Sequence, residues 1–128
     1  MTAPNIVVVG AGLAGGTAVT ELRDQGFEGT VTLIGAEAHP PYERPPLSKG
    51  YLMGKDPIQD AFVHDAGWYP EHGVDFRPGS TVTALDLAGH RIAVESATVS
   101  YDKLLLATGS QPRRLRVAEE SGTPTAYL

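Results

Sequence analysis

The sequence predicts an α/β fold: a parallel sheet with a small antiparallel meander inserted before its last strand. Three observations predict it. Ile6-Val-Val-Val9 and Leu104-Leu-Leu-Ala107 are short apolar runs without alternation, the mark of strands covered on both faces. From Ile6 to Ile34 the order is strand, glycine-rich turn, helix, strand, which is a βαβ unit with parallel strands. From Thr81 to Asp102 the residues alternate around turn signals, which is the pattern of hairpins.

The elements follow in order. After Ile6–Val9 comes Gly10-Ala-Gly12-Leu-Ala-Gly15-Gly16, and then a helical stripe of Ala14, Ala18 and Leu22 with Val19 beside it, which Gly26 can end. Thr30–Ile34 is the second strand, stopped by Gly35. His39 to Asp60 holds Pro40, Pro41, Pro45, Pro46 and Pro57, so a rigid irregular excursion with short helical turns is expected there. Ala61 to His72 is expected to hold a short helix closed by Gly73, and Val74–Phe76 to return to the sheet. Thr81–Leu87 and His90–Glu95 form a hairpin around Ala88-Gly89, with Val99–Asp102 as a third antiparallel strand. Leu104–Ala107 closes the series as a fully buried strand, and the segment beyond Gln111 reads as a polar tail with no covering element.

Composition narrows the function classes. An apolar fraction of 41% and a charged fraction of 20% are those of an ordinary globular chain. A net charge of −5 argues against nucleic acid as a partner. The basic cluster Arg113, Arg114 and Arg116 reads as a solvated loop. With no cysteine, the chain offers no disulfide, thiolate zinc site, iron–sulfur ligation or redox dithiol. No apolar run approaches the ~20 residues that span a bilayer, and Met1 to Asn5 lacks the regions of a signal peptide. The expected setting is cytoplasmic, with no membrane partner.

Gly10, Gly12 and Gly15 carry the strongest chemical signal. In a GxGxxG turn between strand and helix, the first glycine permits the tight turn. The second lets the backbone approach a pyrophosphate, and the third lets the helix pack on the sheet. The helix amino terminus then offers free N–H groups and the positive end of its dipole. Glu37, just past the second strand, stands where a carboxylate accepts hydrogen bonds from a ribose diol. A Rossmann-like dinucleotide site follows. The motif alone does not separate FAD from NAD, since both present adenosine and pyrophosphate.

Pro41-Tyr-Glu-Arg-Pro-Pro-Leu-Ser-Lys49 adds two cations, Arg44 and Lys49, on a proline-stiffened loop. Together with the Gly10 motif and Leu105-Leu-Ala-Thr-Gly-Ser110, this segment resembles the FAD-dependent NAD(P)H:ferredoxin reductases of bacterial oxygenase systems, in the pyridine nucleotide-disulfide oxidoreductase superfamily. The resemblance covers nearly the whole chain. It implies a partial Rossmann-like FAD-binding domain in which Gly10, Gly12, Leu13, Ala14 and Gly15 form the phosphate turn. It further implies that Arg44 and Lys49 contact FAD, with Lys49 near the flavin ring, that Val82 touches FAD through its backbone, and that Ala107-Thr108-Gly109 closes the domain. Many members carry an acid at the position of Ala36; here the acid is its neighbour Glu37, which stays the ribose candidate. The implied reaction passes electrons from NAD(P)H through FAD to a ferredoxin-type iron–sulfur protein. Other two-dinucleotide flavoenzymes, such as an NADH oxidase or a nitrite-reductase-like component, and a non-catalytic nucleotide-binding fragment are the alternatives. No dithiol occupies Arg44–Lys49, so disulfide exchange by these residues is excluded.

Only one dinucleotide motif is present. The expectation is therefore that residues 1–128 are the N-terminal part of an FAD-binding domain. The NAD(P)-binding and C-terminal domains would lie outside this chain, leaving it inactive by itself. Other patterns are set aside. Tyr51-x-x-x-Lys55 lies among prolines with Gly54 inside it, and Gly50-x-x-x-Gly54-Lys55 is one residue short of a P-loop and followed by Asp56. His64, Asp65, Glu71 and His72 fit no metal-ligand spacing, and Trp68 and Tyr69 read as packing residues.

Overall fold

A computed structural model describes residues 3–127. The expectations that touch Met1, Thr2 and Leu128 lie outside those residues. The chain runs β1 (Asn5–Val9), α1 (Leu13–Asp24), β2 (Thr30–Ile34), two 3-10 turns (Pro45–Ser48 and Ile58–Ala61), α2 (Trp68–Glu71), β3 (Val74–Arg77), β4 (Val82–Asp86), β5 (Arg91–Val94), β6 (Ala97–Ser100), β7 (Lys103–Leu106) and α3 (Arg116–Glu120).

Two sheets form. The parallel sheet has the order β3-β2-β1-β7, and the antiparallel sheet has the order β4-β5-β6. The register pairs Val8 with Leu33 and with Leu105, and Leu33 with Phe76. β1 lacks alternation because both of its faces are covered. Val7 and Val9 pack with Ile34 against Ile92, Val94 and Tyr101 of the meander side. Val8 packs with Val31, Leu33, Val19, Tyr69 and Val74 on the helix side. Full burial of a valine side chain stabilises by about 1.5–3 kcal/mol, so this three-residue stretch anchors both layers at once.

The structure refines the expected elements at several points. The buried face of α1 is Gly15, Gly16 and Val19, while Ala14 is exposed and Ala18 is half-buried. The glycine face wins because it lets the helix approach the sheet and the proline loop. A Cβ on Gly16 would lie 2.5 Å from that of Pro41. Ala18 and Leu22 instead line a groove with Ile6, Val8, Phe27 and Leu105. In the 61–72 stretch only Trp68–Glu71 is helical, started by Asp65, whose carboxylate accepts from the Trp68 N–H at 3.0 Å.

The third meander strand begins at Ala97 rather than Val99. Glu95, at φ 54, turns the chain within two residues and brings Ala97 opposite Val94. β7 forms beside β1 but is not fully buried: Leu105 and Leu106 are 42% and 57% exposed, because β7 is an edge strand. In the tail, expected as a polar segment with no covering element, the short helix α3 forms, with Arg114 paired to Glu119 and Arg116 to Glu120. Arg116 thus belongs to a helix rather than a loop, and α3 buries nothing.

Candidate functional site

β1, β2 and β7 run parallel, and their carboxyl ends open into one cleft. The chain order reverses at β1, with β2 and β3 on one side and β7 on the other, which is the switch point where open α/β sheets bind ligands. The ladder continues one step past each strand. Gly10 N–H donates to the Ile34 carbonyl at 2.8 Å, Gly35 N–H to Arg77 at 3.1 Å, and Ala107 N–H to Val9 at 2.7 Å. The three exits are therefore held at fixed spacing beneath the cleft.

Gly10 sits at φ 109, and a Cβ there would overlap the carbonyl oxygen of Ala107. A Cβ on Gly15 would overlap the carbonyl oxygen of Gly10, so the first turn of α1 lies directly on the exit of β1. Gly12 differs. A Cβ there would meet nothing within 4 Å, so its backbone faces open space on the cleft. Gly12 is also the N-cap of α1, with no side-chain cap and no acid in the first turn. The positive end of a twelve-residue helix is thus left for an outside anion.

Glu37 provides the negative group. Its carbonyl accepts from Gly79 N–H at 2.9 Å, and the neighbouring Gly35 carbonyl accepts from Ser80 N–H at 2.8 Å. Its carboxylate oxygen Oε2 accepts from the Tyr42 hydroxyl at 2.7 Å. That hydrogen bond, with partial burial, raises the pKa of Tyr42 above the ordinary phenol value, while nearby Arg44 opposes the shift. The proline loop that carries Tyr42 and Arg44 is pinned to the 58–63 segment. Glu43 N–H donates to Ala61 at 2.7 Å, Val63 N–H to Pro41 at 2.9 Å, and Tyr42 bridges antiparallel to Phe62.

The cleft, of about 280 Å³, gathers Gly10, Gly12, Ala36, Glu37, Arg44, Val82, Ala107, Thr108 and Gly109 from the candidate residues. Leu13 and Ala14 follow on α1, Gly15 is buried beneath the turn, and Lys49 lies at the end of the first 3-10 turn, away from the lining. Ala36 and Glu37 both reach the cleft, so the shift of the acid by one residue keeps it at the same edge. Ala11, Gly35, Ser80 and Thr81 also line it, and sequence reasoning did not single them out. Tyr42 was quoted in its motif but given no role, because only a tertiary contact with Glu37 reveals one.

The set-aside residues have other work. His64 stacks on Trp68 at 3.9 Å and His72 stacks on its other side at 4.2 Å. His64 also bonds Thr20 Oγ1 at 2.8 Å, and Tyr69 is fully buried.

A glycine-lined cleft at the switch point, with an uncapped helix terminus on one side and a carboxylate on the other, defines a dinucleotide-binding α/β protein. Residues 4–127 match the family model for pyridine nucleotide-disulphide oxidoreductase, and the chain belongs to that family. It is 47% identical over 113 residues to the biphenyl dioxygenase system ferredoxin–NAD(+) reductase component of Paraburkholderia xenovorans, covering 88% of this chain and 28% of that protein. It is 40% identical over 125 residues to rhodocoxin reductase of Rhodococcus erythropolis, covering 97% of this chain and 29% of that protein. The fold superposes on putidaredoxin reductase in its covalent complex with putidaredoxin with a TM-score of 0.87, at 35% identity, covering 92% of this chain and 28% of that one. The chain therefore spans under a third of the length of these relatives.

Proposed function

We propose that this chain is the FAD-binding portion of a flavoprotein that passes electrons from NAD(P)H through FAD to a ferredoxin-type iron–sulfur protein. One observation carries the reading. In a chain 47% identical to a ferredoxin–NAD(+) reductase component, the uncapped end of α1, the open backbone of Gly12 and the carboxylate of Glu37 face one cleft. Those three features match the pyrophosphate and the ribose of a dinucleotide in order. The absence of cysteine supports electron transfer without a protein dithiol, although the family name includes disulphide.

The chemistry supplied by bound FAD is acceptance of a hydride from nicotinamide and release of single electrons to an iron–sulfur partner. This chain's own residues bind and orient. The first N–H groups of α1, at Leu13 and Ala14, would hold pyrophosphate charge, and Gly12 would let it approach. Glu37 would accept from ribose hydroxyls, and Arg44 would balance charge at the mouth. Lys49 would act from outside the cleft lining, toward the flavin, as the family resemblance implies. Val82 and Ala107-Thr108-Gly109 would form the walls.

The described residues contain no helix long and apolar enough to cross a membrane, and a cytoplasmic setting is part of the proposal. So is the domain plan. The exposed edge of β7, with Leu105 and Leu106, would receive further strands of the same FAD-binding domain, and the nicotinamide would bind in a separate domain. The test is direct. The protein at its natural length should release FAD on denaturation and reduce a [2Fe–2S] ferredoxin with NADH or NADPH. Protein that releases no flavin, or that holds flavin but reduces no iron–sulfur acceptor, overturns the reading.

A further inference from the structure

Glu37 is an exposed side chain with three rotatable bonds, so packing does little to restrict where its carboxylate points. The restriction comes from one contact, the Tyr42 hydroxyl at 2.7 Å from Oε2. Tyr42 is not among the residues that line the cleft. It is itself fixed. The preceding Pro41 is buried against Gly16 of α1, Tyr42 bridges to Phe62, and the next N–H, that of Glu43, is bonded to Ala61. A rigid donor therefore holds one oxygen of a mobile acceptor that lines the cleft, and Oε1 accepts from no group among the described residues.

We infer that Tyr42 is a positioning residue that pre-orients the Glu37 carboxylate for the hydroxyl pair of an adenosine ribose. The inference rests on the reading of Glu37 as the ribose acceptor. A phenol suits the task because it donates one hydrogen bond along a stiff side chain and stays neutral. The adjacent carboxylate and partial burial both favour its protonated form, so the donor persists across the neutral range. Arg44, two residues on, supplies a cation beside the pair without contacting Glu37 in its place. Immobilising a rotamer-rich side chain before binding is worth about 2–12-fold in affinity.

The experiment uses the protein at its natural length, stripped of flavin and titrated with FAD and with an FAD analogue carrying 2′-deoxyadenosine. Tyr42→Phe should raise the Kd for FAD by about 2–12-fold and narrow the preference for FAD over the deoxy analogue. In a Glu37→Ala background the same substitution should change neither value. Thermal melting of each flavin-free variant controls for folding, and Tyr42→Phe should melt with the parent. An effect of Tyr42→Phe that persists in the Glu37→Ala background, or an unchanged preference between the two ligands, overturns the assignment of Tyr42. If Glu37→Ala itself leaves that preference intact, the ribose reading of Glu37 fails, and the two failures are told apart by that variant alone.

Discussion

Gly10 and Ala107 meet backbone to backbone: a side chain on Gly10 would occupy the space of the Ala107 carbonyl, whose own N–H is bonded to Val9 at 2.7 Å. The two exits of the parallel sheet that frame the cleft are thus in contact. Gly10→Ala should push them apart and must also adopt a φ of 109, so a loss of about 2–4 kcal/mol of stability is expected together with loss of flavin. Gly12→Ala adds its methyl to open space, so it should lower flavin retention while changing stability by less than about 1 kcal/mol. Urea unfolding and flavin occupancy of the two variants check this; equal destabilisation would contradict it.

Arg44→Ala should weaken flavin retention more than His64→Ala, since Arg44 lines the cleft and His64 is engaged with Trp68 and Thr20. Lys49→Ala should also exceed His64→Ala if Lys49 faces the flavin. Flavin occupancy after gel filtration is the measurement. Equal occupancy for Lys49→Ala and His64→Ala would remove Lys49 from the site.

Arg23 ties three segments together. Its guanidinium donates to the carbonyls of Gly29 at 3.0 Å and Gly73 at 2.7 Å, and also to that of Phe27, from the last turn of α1. Hydrogen bonds from a charged donor are worth about 1.5–3 kcal/mol each, and they share one side chain here. Arg23→Ala should cost about 2–4 kcal/mol, and Arg23→Lys should recover little of it, because an ammonium lacks the fork that reaches separate carbonyls. Chemical denaturation of both variants reads the difference.

Burial pushes the pKa of Tyr69 up to about 12, with Asp65 adding to the shift. The folded state therefore resists ionisation that the unfolded chain allows near the ordinary value of 10.0. This contribution is intact below pH ~10 and is lost as pH climbs from there toward ~12, by about 2–3 kcal/mol. The hydroxyl has no hydrogen-bond partner among the described residues, so Tyr69→Phe should leave neutral stability equal or slightly higher and flatten the alkaline decline. Denaturation midpoints between pH 9 and 12 would expose an unchanged slope.

Much of this site could be read from the chain because backbone constraints write themselves into residue type. Gly10 and Gly15 are where no side chain fits, and a carboxylate just past β2 reaches the cleft whether it stands at 36 or 37. What the sequence hid depended on distant partners. Ala14 and Ala18 read as the inner face of α1, but Gly16 admits Pro41, from a loop twenty-five residues later, and rolls the glycines inward. Leu104–Ala107 reads as doubly covered from apolarity alone, which does not record that β7 lies at an edge. Tyr42 carried no pattern of its own; its role exists only through Glu37.

The sandwich of Trp68 between His64 and His72 has a use at the bench. Trp68 is the one tryptophan in these 128 residues, and it sits on α2, with neither it nor the two imidazoles lining the cleft. Thr20 donates its own proton to Gly16, so His64 presents Nε2–H to it. His72 gives its Nδ1–H to the Trp68 carbonyl, leaving Nε2 free. Two imidazole rings stacked on its faces set the surroundings of this indole, so its emission reports on that stack. The chain therefore carries a fluorescent indicator of its helix layer, one that can follow unfolding there in the flavin-free protein.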